Sequence, residues 1–376
     1  MFIRGKSAIY YRICISSAFL IVCGTVFLLS SSVSYGISEG GNPLLYLYER
    51  IIWIILSVFL LYVLKKIGIE KIEKISFLIF IFSLALLTIP VMLNLIYHKP
   101  EYLRWIKIGP LSFQPSELVK LTFIIFLANY LNMRDKMINN WKVLLFPVLF
   151  FLFIIIILQF QKDMGTVVIM GATFFFLLFL AGLKMKYITI FSILGVILIA
   201  GLILLFPYRI ERIKNFLNPT SDPKGGGYQI IQSRITLGSG GVFGKGLGRG
   251  EGKLSFLPVV NKDYIYAVVG EEKGFIGTSF ILILFAILVF SSFEVSTLAK
   301  NNFDKYLSAG IGTLFGFQFL LHALVVISII PSKGTTLPFF SKGGSSFVIN
   351  FLTLGILIII AKRVCIKGDL DDFLDF

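Results

Sequence analysis

Two groups of residues in this chain combine types and spacing that suit chemistry on an anion. One is the stretch Pro207–Asp263, glycine-rich and cationic, with Arg209, Arg212, Lys245 and Lys262 against few acids, and closed by Asp263. The other runs Gln114-Pro115-Ser116-Glu117-Leu118-Val119-Lys120. Proline suits the first turn of a helix, so Glu117 and Lys120 stand at i and i+3 on one face and can pair at the membrane edge. Asp263 precedes the apolar Tyr264–Val269. A carboxylate at the mouth of a membrane helix, below a cationic loop, has a tunable pKa and orientation. Read alone, it is either a helix cap or a catalytic base.

Within the long stretch, Tyr228–Ser233, which includes Gln229 and Ser233, leads into Gly238-Ser239-Gly240-Gly241-Val242-Phe243-Gly244-Lys245-Gly246-Leu247-Gly248. Such glycine density lets backbone N–H groups approach phosphate oxygens, with Lys245 as a point charge. It is not a Walker A loop. The Gly238-to-Gly244 spacing is one residue too long, Gly246 stands where Ser or Thr belongs, and no strand precedes it. Glu271 and Glu272 follow in an apolar setting, where charge is costly, so they must face a bundle interior or a water-filled groove. Lys120 and Arg104 are candidate partners for them.

The elements that hold these residues are membrane helices. The chain has 376 residues, 57% of them hydrophobic and only 15% charged, a net charge of +15 and a mean hydropathy of +0.90. That composition excludes a soluble globule. Crossing a bilayer takes about 20 apolar residues as helix. Ten runs qualify: Tyr11–Val33, Tyr46–Leu64, Ile75–Ile96, Ser116–Leu131, Val143–Phe160, Thr166–Leu183, Tyr187–Phe206, Gly274–Val295, Leu307–Ile330 and Ser345–Ala361. The fold class is an all-α polytopic membrane protein, a single ten-helix domain over residues 1–376 with 207–263 as its large loop. The first run follows Arg4, Lys6 and Arg12, but it is too long for a signal-peptide core and lacks a clear cleavage site, so it reads as a retained helix.

With the N-terminus cytoplasmic, every short cytoplasmic segment is basic, from Lys65 and Lys66 to Lys362 and Arg363, as the positive-inside rule requires. The C-terminus is then cytoplasmic too, and Pro207–Lys262 lies outside. Long loops translocate despite their charge. The other polar turns, Arg104–Lys120, Gln161–Thr166 and Pro331–Ser346, fall on the same outer face. Cys14 and Cys23 lie in the first helix and Cys365 in the tail, so no disulfide or metal site is implied. Trp105 is a candidate substrate contact, His98 and His322 read as hydrogen-bonded filler, and the tail Asp369–Phe376 reads as disordered.

The set Arg104–Lys120, Gln161–Thr166, Pro207–Gly277 and Pro331–Ser346, in this order and spacing, resembles the SEDS family of bacterial shape, elongation, division and sporulation proteins. Pro207-Tyr208-Arg209-Ile210-Glu211-Arg212-Ile213 and Pro331-Ser332-Lys333-Gly334-Thr335-Thr336-Leu337-Pro338 look more like the division branch than the elongation branch. The resemblance implies a ten-helix fold in the bacterial cytoplasmic (inner) membrane. It implies peptidoglycan glycosyltransferase activity on lipid II, giving undecaprenyl-pyrophosphate-linked glycan. It also implies work beside a class B penicillin-binding protein and other divisome membrane proteins, with no nucleic acid. The family's essential loop Asp corresponds to Asp263, and its cavity Glu and Lys to Glu117 and Lys120.

The substrate-binding candidates are Arg104, Trp105, Gln114, Ser116, Glu117, Lys120, Asp163, Arg209, Arg212, Gln229, Ser233, Lys245, Glu271, Ser345 and Ser346. Asp263 is the candidate general base, and Lys120, Arg209, Arg212 and Lys245 form the candidate clamp on pyrophosphate. A divalent cation, Mg or Mn, could share that clamp with Asp263 as its ligand, although no metal-spacing motif is present. The chain departs from the family at Val259-Val260-Asn261-Lys262-Asp263, where Glu-x-His-Thr-Asp is usual, and at Gln161-Lys162-Asp163, Ser341-Lys342-Gly343-Gly344 and His322. A lipid II transporter, which predicts midplane charges and inverted repeats, and a non-catalytic division scaffold are the alternatives to the enzyme.

Overall fold

The computed structural model describes residues 5–38, 45–98, 103–109, 111–205, 207–222, 227–252, 260–331 and 334–367. In chain order the helices are α1 (Lys6–Ser38), α2 (Leu45–Ile67), α3 (Ile69–Lys74), α4 (Ser76–Tyr97), α5 (Pro115–Met133), α6 (Trp141–Phe160), α7 (Met164–Leu180), α8 (Met185–Leu205), α9 (Pro207–Leu217), α10 (Tyr228–Ser239), α11 (Val260–Asp263), α12 (Ile265–Leu298), α13 (Asn302–Val326) and α14 (Gly344–Ala361). Each of the ten apolar runs coincides over most of its length with a helix. In hydrocarbon the backbone must satisfy itself, and an apolar run does so only by coiling. Among the described residues, α1, α2, α4, α6, α12, α13 and α14 are long and apolar enough to cross a membrane, and α7 and α8 are shorter apolar helices. The protein is an all-α polytopic membrane protein.

Burial sorts the helices. Most of α13 and α14 is buried, α5 is buried along nearly its whole length, and α2 is mostly exposed. The exposed faces are apolar, such as Ile51, Ile52, Ile55 and Phe59 on α2. The interior takes hydroxyls, such as the 2.6 Å Ser83–Thr122 bond between α4 and α5. That inversion of the soluble pattern suits helices whose outer solvent is lipid. α12 packs along α13, α1 and α10, and α13 also packs on α5 and α7.

At the end where α5, α7 and α14 begin, an antiparallel hairpin, β1 (Ile106–Ile108) and β2 (Leu111–Phe113), pairs Ile106 with Phe113. At the opposite end Arg363 bonds Asp304, and Tyr306 donates to Asp135 at 2.6 Å.

Two features depart from the sequence reading. The long loop is largely helical, and α10 buries Ile230, Ser233 and Thr236. The eighth span begins at Ile265 rather than Gly274. The helix runs from Ile265 to Gly274, breaks there at φ 63° and ψ −160°, and resumes. That backbone region is open to glycine and forbidden by sterics to other L-residues. The tail Asp369–Phe376 and residues 253–259 lie outside the described residues.

Candidate active site

Asp263 ends α11, one residue before α12. It faces Gly334, whose φ of 64° puts it in left-handed backbone. A Cβ on Gly334 would stand 3.6 Å from Asp263 Oδ2 and 3.8 Å from Arg104 Nη1, so glycine here keeps both the backbone and the approach open. Burial pushes the Asp263 carboxyl up to about 6. The cations Lys262, Arg104 and Arg212 oppose that shift, and the charge of Asp163 adds to it. A half-buried carboxylate held near neutrality among three cations can take a proton from a hydroxyl at physiological pH.

Each neighbour is itself held. Arg104 Nε donates to Gln161 O at 2.8 Å and Nη2 to Lys162 O, so this side chain ties the segment leading into β1 to the α6–α7 turn. Lys262 Nζ lies 5.8 Å over the ring of Trp105, and the Lys262 carbonyl accepts from Ser341 Oγ at 2.6 Å.

Behind Gly334 lies a buried polar cluster at the starts of α5, α7 and α14. Lys120 Nζ pairs with Glu117 Oε2 at 3.0 Å, with both side chains only 4% exposed. Ser346 Oγ donates to Glu117 at 3.3 Å, and Gln114 N donates to Ser345 Oγ at 3.2 Å. Gln114 Nε2 reaches Ser116 Oγ. Asp163 caps α7 by accepting from Thr166 N and from Thr166 Oγ1 at 2.9 Å, and Ser116 Oγ approaches it at 3.5 Å. A cavity of about 20 Å³ joins Glu117, Lys120 and Asp163 to Gly334 and Thr335. The expected residues Arg104, Gln114, Ser116, Glu117, Lys120, Asp163, Ser345 and Ser346 thus converge around the segment that meets Asp263, and Trp105 joins them through Lys262.

Of the remaining candidates, Lys245, Glu271, Ser233 and Arg209 are engaged elsewhere. Lys245 bonds Glu271 Oε1 at 3.0 Å and Glu251 at 3.4 Å, and the Glu271 bond pushes its pKa up. Glu271 also accepts from Glu251 N at 2.9 Å and Gly252 N at 3.1 Å. The glycine turn donates Lys245 N to Glu271 O and Gly246 N to Glu272 O, and it accepts from Phe275 N and Ile276 N. The turn therefore brackets the Gly274 break, and the N–H groups of Gly241, Gly244, Lys245 and Gly246 donate to backbone carbonyls. That use runs against the phosphate-cradle expectation. Glu271 and Glu272 pair with neither Lys120 nor Arg104, because the bracket claims Glu271 and Ser30 Oγ donates to Glu272 at 2.6 Å. Ser233 Oγ donates to Val326 O at 2.8 Å, Arg209 bonds Gln159, and Gln229 is half-buried on α10. Arg212 acts on Asp263 through its charge.

Sequence reasoning missed Lys262, Gly334 and Gln318, which lines the small cavity. It also missed a cleft of about 450 Å³ lined by Arg50, Trp53, Trp105, Lys262 and Lys342. Lys262 was visible as a departure from the family pattern. Arg50, a charge inside an apolar run, was a signal of the same kind as Glu117. Among the described residues no group of three or more His, Cys, Asp or Glu could hold a metal. One carboxylate among three cations at Asp263 suits an anion better than a divalent cation.

A family model described as "Cell cycle protein" (FtsW/RodA/SpoVE) matches residues 11–365. The chain is 37% identical to the "Probable peptidoglycan glycosyltransferase FtsW" of Buchnera aphidicola subsp. Schizaphis graminum, over 88% of this chain and 94% of that one. It is 36% identical to the protein of the same description from Pseudoalteromonas translucida, over 94% and 89%. It is 38% identical to "Stage V sporulation protein E" of Bacillus subtilis, over 69% and 71%. A chain from "Structural coordination of polymerization and crosslinking by a peptidoglycan synthase complex" shares the fold, with a TM-score of 0.73 at 24% identity over 94% and 97% of the two chains. Rod shape determining protein RodA of Thermus thermophilus shares it with a TM-score of 0.68 at 23% identity, over 94% and 96%. With a match this long and relatives this similar, the chain belongs to the FtsW/RodA/SpoVE family of cell-cycle proteins, the SEDS family, and is FtsW-like within it.

Proposed function

We propose that this protein is a peptidoglycan glycosyltransferase that polymerises lipid II into glycan strands at the division septum, with Asp263 as general base. The observation that carries this reading is the Asp263 carboxyl, pushed up to about 6 and set at Gly334 among Arg104, Arg212 and Lys262. The acceptor hydroxyl gives its proton to Asp263, its oxygen bonds the anomeric carbon, and the bond from that carbon to the lipid pyrophosphate breaks. The pyrophosphate leaves with the bonding electrons. Arg104, Arg212 and Lys262 stabilise the departing charge in a setting where preorganised cations count for more than in water. Lys262 takes the place that Lys245 held in the sequence-based clamp. Pyrophosphate is already a good leaving group, so one carboxylate suffices.

The chain acts as one membrane domain of ten spans, with 207–263 as its extracytoplasmic loop and both termini cytoplasmic. The basic short loops support that orientation. The FtsW relatives and the fold shared with a peptidoglycan synthase complex support a class B penicillin-binding protein as partner. The test is lipid II polymerisation by the purified protein with that partner, wild type against Asp263→Ala at matched folding and complex formation. Strands from wild type alone are expected. Strands from both would remove Asp263 from the chemistry, and strands from neither would favour a scaffold or transport role.

A further inference from the structure

Gln318 stands on α13 with its side chain 1% exposed, and neither its amide oxygen nor its amide nitrogen has a partner. Leaving a buried donor or acceptor unmade is costly, and native proteins rarely leave both ends of one amide so. The amide lines the small cavity shared with Lys120, Glu117, Asp163 and Thr166. Lys120 carries three N–H donors and spends one on Glu117. One turn along α13, His322 Nδ1 lies 2.8 Å from Thr335 O, which can only accept, so Nδ1 carries the proton. Its Nε2 is an acceptor that also lacks a partner. The polar face of α13 under the Gly334–Thr336 segment thus has unspent capacity of both signs.

The cavity's chemistry selects what fits. A cation is opposed by the Lys120 ammonium. A phosphate is opposed by two carboxylates and by size, since about 20 Å³ holds about one water. An apolar group leaves the amide unmade. A single hydroxyl both donates and accepts: it can take a hydrogen bond from the Gln318 amide or Lys120 and return one to the Gln318 oxygen or a carboxylate.

We infer that Gln318, with Lys120, Glu117 and Asp163, forms a binding pocket for one hydroxyl group, supplied by an ordered water or by the lipid-linked sugar. The pocket is built beside the reacting carboxylate and is separate from it. Assigning the hydroxyl to a substrate rests on the glycosyltransferase reading, whereas the pocket itself does not.

The test compares wild type with Gln318→Met, which keeps volume and removes both amide atoms. It uses a high-resolution structure, a thermal melt, and polymerisation of lipid II and of analogues lacking single sugar hydroxyls. The expected results are an ordered peak within hydrogen-bond reach of Gln318 that vanishes in the variant, and turnover about tenfold lower, the loss of one hydrogen bond to a charged network. If one deoxy analogue is penalised in wild type but not in Gln318→Met, the guest is that sugar hydroxyl. If all deoxy penalties persist in the variant while its turnover falls and the peak is present, the guest is water. A variant with higher melting temperature and normal turnover, and no peak in wild type, overturns the pocket. Should wild type make no glycan, the enzymatic reading fails while the peak and the melt still decide the pocket.

Discussion

Asp263 and the glycine turn look alike as sequence, each polar, cationic and set beside a membrane helix, yet the structure uses them in opposite ways. In the turn the charged groups are committed: Lys245 to Glu271, the Glu271 carboxylate to Glu251 N and Gly252 N, and part of the backbone to the two sides of the Gly274 break. Around Asp263 the commitments are incomplete. Burial pushes its carboxyl up to about 6 against the pull of three cations, and Gln318 behind it has an unmade amide. A self-satisfied polar network buys rigidity. A site that must bind and release something keeps unspent capacity.

The sharpest way to break that contrast is at the carboxylate. Asp263→Asn should lower glycan synthesis by about 10²–10⁴-fold, the range for losing a general base, with partner binding unchanged in pull-down. In wild type the rate should fall as pH drops through about 6, where Asp263 takes up its proton. Stability moves the other way. A carboxyl whose folded pKa is raised from 3.8 to about 6 contributes stability that is fully present below 3.8 and lost as pH rises through 6. Asp263→Asn should therefore melt higher than wild type at pH 8, and the gap should close near pH 4. A variant that is inactive and also less stable at pH 8 would mean the carboxylate is a structural cap.

Next in size is the buried pair. Removing one partner of a buried ion pair costs about 3–5 kcal/mol, while replacing both with apolar residues of similar volume is often neutral. Lys120→Met or Glu117→Gln alone should lower the midpoint of unfolding sharply. The double variant Glu117→Leu with Lys120→Met should recover most of the stability and none of the polymerisation. Recovery of both would make the pair a packing device and move the functional boundary out to Asp263.

The parts legible in the sequence are those where the membrane leaves no choice. Ten runs of apolar residues had to be helices, and charges such as Glu117, Lys120 and Asp263 at their ends stood out because lipid makes them expensive. The break at Gly274 was hidden because the charges of Glu271-Glu272-Lys273 moved the start of the eighth apolar run to Gly274, whereas the helix starts at Ile265 and carries them inside it. Only the bracketing turn, which lies far back in the chain, marks Gly274 as a break within that helix. Arg104 meets the carbonyls of Gln161 and Lys162, and no spacing rule predicts a side chain finding a backbone oxygen in another turn. Gln318 carries no charge and sits in an apolar helix, so only the missing partners mark it.

The bracket gives the smaller effects and the cleaner control. Glu271 is 1% exposed on its side chain and accepts from two backbone N–H groups and Lys245, so Glu271→Gln keeps the shape but weakens those bonds. It should cost about 1–3 kcal/mol, the scale of charge-assisted bonds to a buried group. Lys245 is 30% exposed and solvent-screened, so Lys245→Met should cost under about 1 kcal/mol. In both variants, protein that remains folded should polymerise lipid II with the wild-type KM. A pyrophosphate clamp at Lys245 predicts the reverse, a raised KM with little change in melting. If Lys245→Met raised KM tenfold, the turn would be a binding site after all, and its bonded appearance would describe only a state awaiting substrate.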